Sequence, residues 1–438
     1  MPFPARACAA AALVALLGAL IAEAAAPCGC PLPVMKVKTK GRITFAVLGD
    51  WGRVGGVKSL KGPYADGYDF SGICAANFND SMSEDVEGGE AQLRTAFALE
   101  QACRTRDCQF IVNTGDNFYE WYERGGGIDS LLRWKTDFEN VYQGPSTPTI
   151  AALKWFSVFG NHDIVAPGSI EAQMAYGAFN KRWVMPKRFF GQEVHSADGK
   201  IRLRLSLINT SPFVTKYAKA NYKYNTTEFR ATASPANITA QTDFLAQSLS
   251  SSKATWDIVV GHHPLVGSAA MLYGFNSSVY AGLPNATAGV AFDLGRPTAD
   301  GSPAFAKVLS LLRQYNPVAY MNGHDHILTH AVDPADPIKY TTQYLTSGAG
   351  SAADGADSCG APNRPNVKFS NSKIPDGDLC TAPGGDGVNG FHIVRADASS
   401  FKVEFYNVGT YGQASLAYTF TVPTNPNMNR KPSGSCMC

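Results

Sequence analysis

Five apolar runs in this chain each stop at a glycine that is followed by metal-binding side chains. Ile43–Leu48 runs into Gly49-Asp50, and the run at Phe110–Val112 leads to Gly115-Asp116. Trp155–Phe159 leads to Gly160-Asn161-His162, Trp256–Val260 to Gly261-His262-His263, and Pro317–Met321 to Gly323-His324-Asp325-His326. Short apolar runs of this kind read as strands covered on both faces, and sheets built from them place ligands at the strands' carboxyl ends. If the five strands are neighbours, one rim collects all five blocks. The glycines allow a sharp turn and a close approach at each strand end. The chain has only eight histidines, and His162, His262, His263, His324 and His326 all fall inside these blocks. Random placement would scatter them.

The residue types suit two metal ions that share a carboxylate. Asp50, Tyr119 and His326, with Asp116 as the bridge, make a hard anionic set for Fe(III). Asn161, His262 and His324, with the same Asp116, make a more neutral set for a divalent ion. Tyr119 follows Asp116 by three residues, so one turn points both side chains the same way. His324 and His326, two apart in an extended segment, also share a side. His162, beside Asn161, is placed to hold phosphate or protonate a leaving oxygen, and His263 is a second candidate for that work. Asp163 and Asp325 read as supporting or turn residues. His195, His330 and His392 lie outside the blocks and read as hydrogen-bonded core residues.

The rest of the 438 residues, 45% of them hydrophobic, provide enough material for a sizeable core. A formal net charge of +2 argues against nucleic acid or an anionic membrane as the main partner. Residues 1–24 read as a signal peptide, with Arg6, an apolar region and a small-residue cleavage site at Ala22-Glu23-Ala24. A secreted, vacuolar or lysosomal destination follows, and no later stretch is apolar enough to span a bilayer. A segment 25–42 precedes one domain over 43–425, with insertions near 53–90, 212–240, 266–303 and 351–388 and a tail 426–438. Helix-then-strand units followed by alternating strands, which read as antiparallel, predict an α+β or α/β four-layer sandwich. In it, two mixed β-sheets pack face to face and are flanked by helices. Nine cysteines remain once Cys8 is removed with the signal; Cys103–Cys108 and Cys359–Cys380 are the expected pairings. Glycan acceptors are expected at Asn79, Asn225, Asn237, Asn276 and Asn285.

The blocks Gly49-Asp50-Trp51-Gly52, Gly115-Asp116-Asn117-Phe118-Tyr119, Gly160-Asn161-His162-Asp163, Val259-Val260-Gly261-His262 and Gly323-His324-Asp325-His326 resemble the five motifs of purple acid phosphatases. The small tartrate-resistant type is the most similar, with Lys181-Arg182-Trp183, Pro186 and Ser347-Gly348-Ala349-Gly350 adding to the likeness between about Ile43 and Tyr406. The resemblance implies a binuclear Fe(III)–M(II) centre, with Fe, Zn or Mn as the divalent ion. It also implies hydrolysis of phosphate monoesters at acidic pH, with a metal-activated hydroxide as nucleophile and inorganic phosphate as product. His263 departs from the pattern, since the small animal enzymes usually carry an aromatic residue there. The insertions depart as well, and both bear on substrate preference. Two other readings share the blocks. A divalent-metal phosphodiesterase or nucleotidase usually lacks the tyrosine, and an inactive secreted binding protein would have lost a ligand.

Overall fold

The runs RITFAVL and WDIVV join β-branched and aromatic residues without a break, and in the computed structural model both are strands buried almost throughout. The structure describes residues 32–53, 84–119, 133–220, 222, 224–266, 303–333, 335–353, 367–371 and 388–424. In chain order the elements begin with β1 (Met35–Lys36), β2 (Arg42–Leu48), α1 (Glu84–Arg106), β3 (Phe110–Asn113) and β4 (Lys154–Ser157). There follow α2 (Ser169–Phe179), β5 (Trp183–Val184), β6 (Phe190–His195), β7 (Arg202–Leu207), α3 (Thr227–Thr232) and α4 (Pro235–Ser250). Next come β8 (Trp256–Val260), α5 (Pro303–Tyr315), β9 (Ala319–Asn322), β10 (Leu328–Val332) and β11 (Gln343–Ser347). The last strands are β12 (Val367–Ser370), β13 (Gly390–Asp397), β14 (Ser400–Val408) and β15 (Ala414–Pro423).

Two mixed sheets result, as the sequence predicts. One runs β15-β14-β13-β2-β3-β4-β5 and the other β1-β6-β7-β8-β9-β11-β10-β12. Each has a parallel centre: β2, β3, β4 and β5 in the first, and β7, β8, β9 and β11 in the second. Leu48, Asn113 and Ser157 stand abreast at the ends of β2, β3 and β4, while Val260 pairs with Met321 across β8 and β9. The polar blocks therefore leave both sheets at nearly the same level. The sheets are tied face to face where Ser347 Oγ donates to Val47 O (3.0 Å) and Trp256 Nε1 donates to Asp397 O (2.7 Å). Helix α1 lies against the first sheet and the pair α4 and α5 against the second. Beneath α1, Trp51 meets Phe118, Phe138, Tyr142, Trp155 and Trp183 in one buried aromatic cluster. Cys103 and Cys108 form the expected disulfide.

Several expectations change. Tyr340–Leu345, read as antiparallel from its alternation, yields β11, which runs parallel to β9 and antiparallel only to β10. The loop 351–388 contains strand β12. The insertion 212–240, read as loop, holds α3 and the start of α4. Thr226 and Ser234 accept hydrogen bonds from the first-turn N–H groups of those helices, and Pro235 follows at the first helical position. Between β3 and β4 a π-helical turn, Trp134–Glu139, continues into a short helix, Asn140–Tyr142. Strands β6 and β10 were not legible in the pattern. The signal peptide, most of insertions 53–90, 266–303 and 351–388, the tail, the Cys359–Cys380 pair and Asn79, Asn276 and Asn285 lie outside the described residues. Among the described residues no helix is long and apolar enough to cross a membrane.

His330 stacks on Phe420 of the other sheet (3.8 Å), and His392 meets the tilted ring of its cross-strand neighbour Phe405 (4.1 Å). Burial pushes His330 down to about 4 and His392 to about 3. The unfolded chain takes up these protons near pH 6.5, whereas the folded chain refuses them until far lower, so stability falls as pH drops below 6.5. Each histidine should contribute about 1.4 kcal/mol per pH unit to that loss until its own folded value is reached. Replacing His392→Leu should therefore flatten the decline in urea-unfolding free energy between pH 6.5 and 4.5. An unchanged slope would show that His392 already carries its proton in the fold.

Candidate metal centre

At the strand ends the backbone turns on the candidate ligands themselves. Asp50, Asp116 and His324 adopt left-handed φ values of 60°, 49° and 72°. Such conformations are uncommon away from glycine and cluster where function demands them. The neighbouring glycines mostly supply room. A Cβ on Gly323 would land on the Asp50 carboxylate, and one on Gly160 would land on that of Asp116.

All seven predicted ligands come together. On one side Tyr119 Oη lies 3.2 Å from Asp50 Oδ1 and 3.0 Å from His326 Nε2, which is itself 3.7 Å from Asp50 Oδ1. On the other, Asn161 Oδ1 lies 3.0 Å from His262 Nε2 and 2.7 Å from His324 Nδ1, and the two nitrogens are 3.3 Å apart. Asp116 Oδ2 reaches His262 Nε2 at 3.3 Å. Asp50, Asp116, Asn161 and His262 are almost wholly buried.

These distances fit a cation. Ligand atoms on bonds of about 2.1 Å stand roughly 3 Å apart around a shared ion. His262 Nδ1 donates to Thr114 O (2.9 Å), so in the neutral ring Nε2 carries a lone pair. That lone pair faces Asn161 Oδ1 and Asp116 Oδ2, which are also acceptors, so only positive charge reconciles them. Protons respond accordingly. Burial works to lower His262, but Asp116 and Asp50 outweigh it and hold the ring up at about 9. Burial, the Asp116 charge beside it and the loss of water push Asp50 well above the usual carboxylate range. Burial followed by Asp50 and Asp116 pushes the Tyr119 phenol up, against the pull of Arg53. A metal cation among these atoms reverses that order and favours carboxylate and phenolate.

The supporting residues were less visible in the sequence. Asp163, expected in such a role, accepts from the N–H groups of Asn117, Phe118 and Gly160 (2.7 Å for the last) and from Gln173 Nε2. It thus ties the turn after β3 to the turn after β4, and burial with the nearby Asp116 raises it to about 6. Arg133 pairs with Asp137 (2.6 Å) and donates to Gly52 O and Tyr119 O. Arg53 lies over the Tyr119 ring at 3.8 Å and donates from Nε to Ser351 Oγ, which donates to Asp50 O. Arginine and serine in loops carry no periodic signal. Arg53, directly after Gly49–Gly52, and Ser351, directly after Ser347–Gly350, stood beside a motif.

The two candidates for handling substrate differ sharply. His162 is half-buried against Tyr119 (4.5 Å between rings), and its main-chain N–H donates to Asp116 Oδ1 (2.8 Å). His263 is completely buried. Thr210 Oγ1 accepts from the main-chain N–H groups of His262 and His263, so its own hydrogen goes to His263 Nδ1 (2.8 Å). His263 is then the Nε2–H tautomer, donating to Tyr217 Oη (2.9 Å). Its nitrogens lie near His262 and His324, yet both are engaged by hydroxyls. Burial, then His324 and His262, hold the ring far below its ordinary value. In this arrangement His263 packs against His324, with both ring nitrogens engaged by hydroxyls.

Comparison with known proteins agrees with this architecture. The calcineurin-like phosphoesterase model matches residues 43–328. The chain is 28% identical over 319 residues to purple acid phosphatase 17 of Arabidopsis thaliana, covering 72% of this chain and 70% of that protein. It is 27% identical over 252 residues to tartrate-resistant acid phosphatase type 5 of Oryctolagus cuniculus, covering 56% and 62%. Among solved structures, GAP50, the anchor in the inner membrane complex of Plasmodium, superposes with a TM-score of 0.54 at 18% identity over 88% of this chain and 90% of that one. The purple acid phosphatase PPD1 from yellow lupin seeds superposes with a TM-score of 0.51 at 14% identity over 91% and 58%. These two show the shared fold. With two mixed sheets, one rim of metal-type ligands and a family match over most of its length, the chain belongs to the calcineurin-like phosphoesterases.

Proposed function

We propose that this phosphoesterase is a secreted acid phosphatase that hydrolyses phosphate monoesters at a binuclear Fe(III)–M(II) centre. The phenol of Tyr119 carries the reading, because it joins Asp50 and His326 on the side away from Asn161, His262 and His324. Asp50, Tyr119 and His326 would hold the ferric ion; Asn161, His262 and His324 would hold Fe, Zn or Mn, with Asp116 shared. Bound there, the ions would acidify water enough to supply a nucleophile in acid and would offset charge on the phosphoryl oxygens. The chain's own residues do the rest. Thr114 fixes the His262 tautomer, Asp163 holds the two turns in register, and His162 meets the substrate's phosphoryl or leaving oxygen. The apolar start of the chain and the acceptors Asn225 and Asn237 support secretion and glycosylation.

A ferric phenolate absorbs in the visible, so the loaded protein should be purple and Tyr119→Phe should bleach it. Retention of the band in the variant would place another donor on iron. Replacing His162→Ala should lower turnover of a phosphomonoester by about a hundredfold with the metal content intact. Lost metal would instead make His162 a ligand. Monoesters should also be cleaved faster than diesters; the opposite preference would favour the divalent-metal diesterase reading.

A further inference from the structure

The imidazole of His162 is held by a residue from the segment expected to be a loose insertion. Tyr224 Oη lies 3.0 Å from His162 Nε2, with the rings edge-on at 5.5 Å. The opposing neighbour of that imidazole is Tyr119, and its main chain is anchored on Asp116. Tyr224 is 5% exposed and is itself braced twice. Two residues on, Thr226 Oγ1 donates to Ile164 O (2.7 Å) and accepts from Phe229 N–H at the start of α3. The turn His162–Ile164 and the cap of α3 are thereby stitched together. Tyr217 packs on Tyr224 at 4.7 Å and carries the support back to His263 behind the β8 rim.

We propose that Tyr224 is a positioning residue for His162, its hydroxyl fixing the rotation of the imidazole beside the ligand cluster. A rotating imidazole would spend much of its time misaligned, and a small misplacement of a group that meets the substrate is costly in rate. Asp116 accepts from the His162 main-chain N–H and Tyr119 packs on its ring, and the Tyr224 hydroxyl gives the imidazole nitrogen a directional contact. The inference rests on the reading of His162 as the residue that meets the substrate.

The test is a double-mutant cycle of Tyr224→Phe and His162→Ala in the metal-loaded full chain, with metal content measured throughout. It reads kcat/KM on a phosphomonoester and calorimetric binding of inorganic phosphate. Tyr224→Phe alone should lower kcat/KM about tenfold, the loss of one directional hydrogen bond, and weaken phosphate several-fold. In the His162→Ala background it should do neither. An equal loss in both backgrounds, or no loss in either, would overturn the role of Tyr224 alone. Wild-type kcat/KM and phosphate affinity in His162→Ala would instead refute the substrate role of His162, and this proposal with it.

Discussion

Two carboxylates buried side by side govern this molecule. Asp50 and Asp116 lie where water cannot solvate them; burial and the Asp116 charge push Asp50 up, while Asp116, against its own burial, is held well below the usual range by His262, His162 and His324. An unpaired charge in such a place is strongly destabilising, so something positive must stand between them. The nearby nitrogens cannot all supply it. His324 is held well below its ordinary value by burial and by His262, while His262 alone is drawn upward. One imidazolium for two carboxylates, an amide oxygen and a phenol is a poor match. A pair of cations resolves it, and the seven side chains are spaced for that.

The fold carries strain to make this cluster. Three candidate ligands sit in left-handed backbone conformations, each of which costs about 1–3 kcal/mol when adopted by a residue with a side chain. The surrounding structure over-determines them. Asp163 collects the loose N–H groups of two turns, Arg133 collects two carbonyls, and Ser351 donates to the main chain of Asp50. The parallel centres of two sheets bring the turns level, so strain at each strand end is shared by a rigid frame rather than by mobile loops. That frame holds the seven candidate ligands of both sheets around Asp116.

Much of this was legible in the chain. The five glycine-terminated blocks announced both the rim and its ligands, because a strand end that must meet other strand ends leaves a local signature. The sheets were legible too, through uninterrupted runs such as WDIVV. What escaped was the support. Tyr224, Thr210, Arg133 and Arg53 reach residues distant in sequence, and such contacts leave no period. Strand β11 is antiparallel to β10, as its alternation suggested, but parallel to β9, because alternation does not report the direction of each neighbour. The surroundings of His263 were equally hidden, since the hydroxyls of Thr210 and Tyr217 that engage it both come from far away in sequence.

If the buried carboxylates hold two unlike metal ions, elemental analysis of the purified, folded chain should find two tightly held ions per chain, one of them iron, and loss of both when Asp116 is replaced by Ala. A folded chain that hydrolyses phosphomonoesters at full rate while binding no metal would contradict it.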